Sequence, residues 1–313
     1  MLKYKQWKGT APAPLGGFMK NGVVIVNKEE GMTSQAVVSR VKRIFGADKA
    51  GHTGTLDPMA TGVLPVLINR GVKASEFMLT EDKHYVATLA LGITTDTEDT
   101  TGNILFEDPR VPSEGEVLRA VESFVGEYMQ TPPMYSAIKV GGKKLYELAR
   151  RGEVIEREPR RVYIHSIKAT RVDDRTYTLA VHCSKGTYIR TLLSDIGRAV
   201  GVGGAMASLL RAEAAGFTLA DAHTLTELEE MSEAERESAV FPTEYIFRAL
   251  PKVTLPDFFS RLAHSGLEIY QKKIGTEFDT GTRVAIFDKD GFFAVGEVRD
   301  FEGGKAIKPI RQF

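Results

Sequence analysis

The chain has 313 residues with 41 basic and 41 acidic side chains, so net charge neither indicates nor excludes a nucleic-acid partner and local patches must carry that signal. Its hydrophobic share of 42% and charged share of 26% are those of an ordinary globular protein and exclude collagen-like, disordered and disulfide-scaffold classes. The lone cysteine, Cys183 in "LAVHC", excludes a disulfide framework or Cys-based zinc site within one chain, reads as a buried thiol on a strand and favours a reducing cytoplasm.

The N-terminal "MLKYKQWKGTAPAPLGGFMKNG" lacks a continuous apolar core of the signal-peptide kind and reads, over residues 1–21, as a flexible extension, with Met19 available as an alternative start. No later run approaches the ~20 apolar residues that cross a bilayer, so a soluble protein without membrane contact is expected. "GVVIVNK" predicts a short buried strand, and "GMTSQAVVSRVKRIFG" a helix capped by Thr33 or Ser34 with Val37, Val38, Val41 and Ile44 on one face.

"GHTGTLDPMATGVLP", Gly51 to Pro65, follows, with Asp57 alone among Gly, Thr and Pro. Taken by itself, an Asp-Pro pair reads as the cap and first residue of a short helix. Beyond it come a helix in "VKASEFML", a strand in "HYVATLALG" and a polar turn in "TTDTEDTTGN". That turn lacks the spacing of a calcium loop and predicts Asx-turns instead.

A helix in "SEGEVLRAVESFVGEY" precedes the basic segment "TPPMYSAIKVGGKKLYELARRGEVIEREPRRV", where Lys139, Lys143, Lys144, Arg150, Arg151, Arg157, Arg160 and Arg161 are interleaved with Tyr135 and Tyr146. A solvated charged face explains such a run; so does a surface that tracks RNA phosphates, with aromatics and a flexible Gly-Gly beside the cations. Strands around 162–172 and 177–183 lead into "SKGTYIRTLLSDIGRAVG", whose Leu192, Leu193, Ile196 and Val200 form a core-facing helical stripe. Arg190 stands at the start of that helix, where the macrodipole disfavours a cation, so a specific anionic partner is expected. An acidic helix near "LTELEEMSEAERE" follows, then a boundary near Leu250. Residues 251–313 predict a helix in "LPDFFSRLAHSG" and a small β barrel with a Lys-Asp-Gly hairpin turn.

Several separated segments resemble one family. "GHTGTLDPMATGVLP", "KHYVATLALGITTDTEDTTG", "TPPMYSAIKVGGKKLYELARRGE" and "CSKGTYIRTLLSDIG" are similar, in order, to the motifs of bacterial tRNA pseudouridine-55 synthases, and "GTRVAIFDKDGFFAVGEV" resembles a PUA domain, a small RNA-binding barrel. The resemblance spans about residues 22–313. It implies an α+β fold with a mixed, mainly antiparallel sheet flanked by helices and an RNA-binding cleft over residues 22–250. It also implies an insertion at about 132–160 that grips the T arm of tRNA, and a PUA-like barrel at 251–313.

The implied activity is isomerisation of the T-loop uridine at tRNA position 55 to pseudouridine, in the cytoplasm, by a monomer, with tRNA as partner and neither metal nor organic cofactor. By motif match Asp57 is the essential aspartate, His52 assists base flipping, Tyr85 stacks on the target base, and Arg190 of "Y-x-R" pairs with the aspartate. Tyr188 and Leu209 line the pocket, with neighbouring Leu210 an alternative match, while Lys28, Gly54, Thr55, Lys139, Lys143, Arg150 and Arg151 are implied to contact substrate. The chain departs from the family at "NKEEGMTS", where Glu29 replaces a proline while Lys28, Gly31 and Ser34 remain, and a slightly different backbone before the helix is expected.

The residue types suit the chemistry. The reaction breaks N1–C1′, turns the uracil, joins C5 to C1′ and releases the C5 proton, with no electrons changing hands. Attack at C1′, attack at C6 and abstraction of a sugar proton are three open roles for Asp57, as a Tyr and a water are for the C5 proton acceptor; attack requires an ionised carboxylate. Burial favours a neutral carboxyl and a guanidinium within ~4–6 Å the ionised one, so Arg190 is expected on physical grounds as well.

Three other readings make distinct demands on the sequence. A tRNA-folding chaperone needs binding without catalysis. A glycosidase needs a second carboxylate, and the motif segments supply none at an evident matching site. A phosphate-binding loop needs G-K-[ST] after the glycines, which is missing.

Overall fold

The computed structural model describes residues 21–313 apart from Ala137 and Arg150, and leaves the side chains of Lys139, Val140, Lys144 and Tyr146 undescribed. Residues 1–20 of the expected extension, Arg150 and the side chain of Lys139, the last two implied to contact substrate, therefore lie outside the described residues.

The larger sheet is built from β1 (Gly22–Lys28), β2 (Ala50–His52), β3 (Thr61–Ile68), β4 (Lys83–Leu91), β5 (Gly126–Gln130), β6 (Arg160–Arg171), β7 (Thr176–Cys183), β8 (Gly204–Ala214) and β9 (Val240–Pro242), with Phe217–Thr218 as a further short strand on β8. The spatial order is β9-β1-β3-β8-β4-β7-β6-β5, with β2 also on β3. Every pairing is antiparallel except β3 with β8, which is parallel at Leu210↔Thr61 and Arg211↔Gly62. A mixed, mainly antiparallel sheet flanked by helices is the fold expected from the sequence.

The apolar run of β1 is buried because it is central, flanked by β3 and β9. Helix α1 (Ser34–Ile44) is capped by Thr33, whose hydroxyl accepts from Ala36 N at 3.1 Å, and buries Val37, Val38 and Val41 against the sheet. The predicted helix after Ser113 ends earlier than its sequence suggests: α2 (Glu114–Glu122) stops, Gly126 takes φ +105°, and "GEYMQ" becomes edge strand β5 paired with β6. Helix α3 (Ile189–Val200) buries Leu192, Leu193, Ile196 and Val200 as its periodicity requires. The segment "VKASEFML" forms a 3-10 turn over Asn69–Ala74 and a single α-turn over Ser75–Met78 rather than one helix.

A second sheet comprises β10 (Lys252–Thr254), β11 (Ile269–Tyr270), β12 (Arg283–Asp288), β13 (Gly291–Phe301) and β14 (Gly304–Gln312), in the order β10-β12-β13-β14-β11. With helix α4 (Asp257–His264) it encloses its own core around Val253, Ile269, Val284, Ile286, Ala294, Val298 and Ile307. The β12–β13 hairpin turns through Lys289-Asp290, with Gly291 at φ +121°. The two sheets meet where Phe247 packs with Phe77, Phe292 and Phe313, and the Arg311–Glu76 ion pair, 2.6 Å, spans the junction.

Candidate active site

The loop carrying Asp57 leaves β2 and returns as β3, so both of its ends are fixed on one strand. Along its outer edge β3 is covered by β2 at Val66–Ile68 and by β8 at Thr61–Gly62, leaving Val63 to Pro65 without a partner strand on that side. Two groups fill that gap: Thr53 N donates to the Pro65 carbonyl at 3.2 Å, and Arg211 Nε donates to the Val63 carbonyl at 2.7 Å.

The polar backbone of the loop is satisfied piece by piece, as a partly buried loop requires. Ser34 Oγ donates to the Leu56 carbonyl at 3.0 Å and accepts from Leu56 N at 2.8 Å. Lys28 Nζ donates to the carbonyls of Ala60 at 2.5 Å, Pro58 at 3.1 Å and Glu29 at 3.0 Å, and Gly31 N donates to Pro58 at 2.8 Å. Arg211 Nη2 donates to the Gly54 carbonyl at 3.1 Å. Leu56 and Ala60, buried on either side of Asp57, pin the loop to the main core. Lys28, Gly31 and Ser34 thus act on the Asp57 loop, while Glu29 is exposed.

Asp57 starts no helix. Its carbonyl closes a turn with Ala60 N at 3.0 Å, and its carboxylate reaches Arg190, Oδ2 to Nε 2.9 Å. The Asp57 side chain is 37% exposed, whereas that of Arg190 is only 6% exposed. The guanidinium is interior, and the carboxylate opens to the outside. Arg190 is itself held by the carbonyls of Thr97 and Tyr135, each at 2.9 Å, and by Asp99, Nη1 to Oδ2 3.6 Å. The anion expected at the start of α3 is therefore a pair, Asp57 and Asp99.

Asp99 lies in the polar turn for which the sequence predicts Asx-turns. It does form an Asx-turn, accepting at Oδ1 from Thr101 N at 3.0 Å, and also from the hydroxyls of Thr101 at 2.6 Å and Thr97 at 2.8 Å. It is a second carboxylate beside Asp57, but it is buried and its Oδ1 is committed to threonines, so it anchors Arg190. Glu98, preceding it, adopts φ +65° and accepts from Thr191 Oγ1, and burial raises its pKa.

Tyr85 on β4 pairs with Arg211 on β8, and Ala87 with Leu209, so Leu209 shares the face of Tyr85 and Arg211 while Leu210 faces the other way with Val86. Burial pushes the Tyr85 phenol up, and the Arg211 guanidinium offsets part of that push. Arg211, 1% exposed, is the buried cation that the sequence reading missed; its alternation with Leu209 in "LLRAEA" was the available signal. Its charge, after burial, also lowers the pKa values of His52 and Lys83. His52 Nδ1 accepts from Gly54 N at 3.3 Å. Lys28 is lowered to about 8, first by burial and against the attraction of Asp57.

Tyr188 stands at the cap of α3, fixed by the buried amide of Gln130: Oε1 accepts from Tyr188 N at 2.8 Å and Nε2 donates to its carbonyl at 2.9 Å. The basic insertion touches this group through the Tyr135 carbonyl on Arg190. Gly141 and Gly142, read as flexible, both take positive φ in a tight two-residue hairpin between Lys139–Val140 and Lys143–Lys144, the geometry of a type I′ turn. Lys143, Arg151, Arg160 and Thr55 are exposed, and Gly54, at φ +132°, lies over Arg211.

Residues 42–189 match the TruB family pseudouridylate synthase (N terminal domain), and residues 190–256 match the tRNA pseudouridylate synthase B C-terminal domain. The tRNA pseudouridine synthase B of Alkaliphilus oremlandii (strain OhILAs) is 42% identical over 297 residues, covering 93% of this chain and 98% of its own. That of Clostridium tetani (strain Massachusetts / E88) is 38% identical, with 92% and 99% covered. Two solved structures superpose with a TM-score of 0.70 each. In one, an H/ACA RNP bound to a substrate RNA containing 2′-deoxyuridine, the chain is 25% identical; in the other, a Cbf5-Nop10-Gar1 complex, it is 28% identical; each likeness covers 93% of this chain and 84% of the other.

Proposed function

Because the chain belongs to the TruB family of pseudouridylate synthases, we propose that it isomerises the T-loop uridine at position 55 of tRNA to pseudouridine, with Asp57 as the essential carboxylate. The observation that carries this reading is the contact between the accessible carboxylate of Asp57 and the buried guanidinium of Arg190, Oδ2 to Nε 2.9 Å.

A uridine stacked in a loop offers neither C1′ nor C5 to a protein pocket, so it is flipped, at a cost of a few kcal/mol. Tyr85 stacks on the flipped ring and recovers ~1–3 kcal/mol of that cost. Its phenol, kept protonated by burial, is a donor at neutral pH. His52, kept neutral by burial and by Arg211, fills the space that the base leaves. Asp57, held against Arg190, assists cleavage of N1–C1′ by attack at C1′, attack at C6 or removal of a sugar proton. The turned uracil then joins C5 to C1′ and gives up its C5 proton. Tyr188 and Leu209 wall the pocket. Lys143, Arg151 and Arg160 on the insertion meet T-arm phosphates, and the second sheet serves as a PUA-like RNA-binding barrel. The chain acts as a monomer in the cytoplasm.

The test is to incubate an unmodified tRNA transcript with the protein and map pseudouridine along it. Modification at position 55 alone supports the reading, and modification elsewhere overturns the assignment of the T loop. A tRNA-folding activity is a second reading, supported by the exposed cations of the insertion, which lie apart from Asp57 in sequence. An Asp57→Asn protein that still refolds tRNA while leaving uridine unmodified separates the two.

A further inference from the structure

Half of the chain's six histidines gather on the face of the larger sheet opposite Tyr85. The register places His84 of β4 directly across from His182 of β7, while their neighbours Tyr85 and Val181 pair on the other face. A β-bulge between Ile164 and Ser166 of β6 adds His165, whose ring lies 4.4 Å from that of His182. Bulges re-aim a side chain in this way. Asp82, just before β4, completes the group, with Oδ2 3.0 Å from His165 Nε2 and 3.8 Å from His182 Nε2.

We propose that Asp82, His165 and His182 bind a divalent transition-metal ion of the zinc class at the back of the catalytic sheet. One ligand atom from each lies within 4.8 Å of the others, and a tetrahedral ion at ~2.0–2.1 Å from each ligand atom needs them about 3.3 Å apart. Small side-chain rotations close the difference. Two imidazoles and one carboxylate suit zinc, copper and nickel better than the oxygen-seeking magnesium or calcium. The side chains are accessible, at 46% exposure for Asp82, 34% for His165 and 31% for His182, so an ion enters from solvent and keeps its fourth position for water.

His84 stacks on His182 with centroids 3.9 Å apart and an interplanar angle of 14°, and its own Nε2 is 3.9 Å from Glu213. It therefore orients the His182 ring and is not a ligand.

The experiment titrates Zn2+ into the untagged, chelator-treated full chain, with binding followed calorimetrically and thermal midpoints measured with and without the ion. One equivalent bound per chain, and a raised midpoint, are expected for wild type. His165→Asn and His182→Asn each lose that equivalent, whereas His264→Asn, altering the His264–Asp288 pair on the second sheet, keeps it. Co2+ added to wild type gives an independent reading through the intense visible bands of a tetrahedral site. Binding by the His165→Asn/His182→Asn double variant equal to that of wild type, or no binding by wild type in excess Zn2+, overturns the proposal and leaves Asp82–His165 as an ion pair alone.

Discussion

Arg190 is interior and Asp57 is not, yet the Nε of one lies 2.9 Å from the Oδ2 of the other. A buried cation thus fixes the direction of a carboxylate that faces outward. Asp57→Asn keeps the shape and removes the charge. Catalysis by this variant should fall by more than about three orders of magnitude, with tRNA affinity within about threefold of wild type. Single-turnover isomerisation beside a filter-binding titration checks both halves.

Removing Arg190 has a second consequence, because Asp99 shares it. Arg190→Met leaves the buried Asp99 carboxylate uncompensated and the carbonyls of Thr97 and Tyr135 short of a donor. A loss of about 3–5 kcal/mol is expected, the usual effect of removing one member of a buried charge pair. Urea unfolding measures it. A loss under about 1 kcal/mol would show that Asp99 does not depend on Arg190.

Gly62 lies where β3 and β8 run parallel, at φ +100°, and a Cβ there would meet the Arg211 carbonyl oxygen at 2.4 Å. Gly62→Ala should cost at least about 2 kcal/mol, the scale of forced backbone strain. Because the Asp57 loop ends just before this strand, activity should fall with stability. A calorimetric midpoint equal to that of wild type would contradict the register described for Arg211 and Gly62.

Lys28 gives a pH dependence with a definite sign. Burial lowers its pKa from 10.5 to about 8 in the folded chain, while the unfolded chain keeps the ordinary value. Between those values the unfolded state binds more protons, so this group makes the protein more stable as pH rises from about 8 toward 10.5. Below about 8 the cost of holding a buried charge is fully present. The stability difference between wild type and Lys28→Met should therefore shift in favour of wild type across that window. A difference that is flat with pH would contradict the lowered value.

Cys183 is buried, and its thiol is pushed up to about 11. At pH 8 about one chain in a thousand then carries the thiolate. A thiol reagent should titrate none of the native protein on the timescale of minutes and one thiol per chain after denaturation. Fast labelling of the native state would show that β7 opens.

The sequence made the regular parts of this fold legible where one periodicity dominates. The continuous apolar run of β1 and the helical stripe of α3 each bury the side chains that their patterns point inward. It was less informative where a chemical oddity is satisfied only by tertiary contacts. Strand β8 carries a fully buried arginine, which no polarity pattern places inside; its guanidinium fills a gap between strands that exists only in three dimensions. Strand β5 hides behind helical residues because it is an edge with exposed Glu127 and Met129. Motif resemblance picked out Asp57 and Arg190, which the fold brings into contact. The same motifs said nothing of Asp99 as the second anion on Arg190, or of Gln130, whose amide reaches Tyr188 across 58 positions of sequence. Nor could spacing foretell the Asp82, His165 and His182 group, which depends on strand register and one bulge.

The measurement that bears most directly on the account is tritium release from C5-labelled uridine in an unmodified T-arm stem-loop, with wild type and Asp57→Asn run side by side. Release of one tritium per stem-loop by wild type and none by the variant is the predicted result, since C5 loses its proton only when it has joined C1′. Release at equal rates by both proteins, or binding of the stem-loop by wild type without release, would contradict the assignment of that chemistry to Asp57.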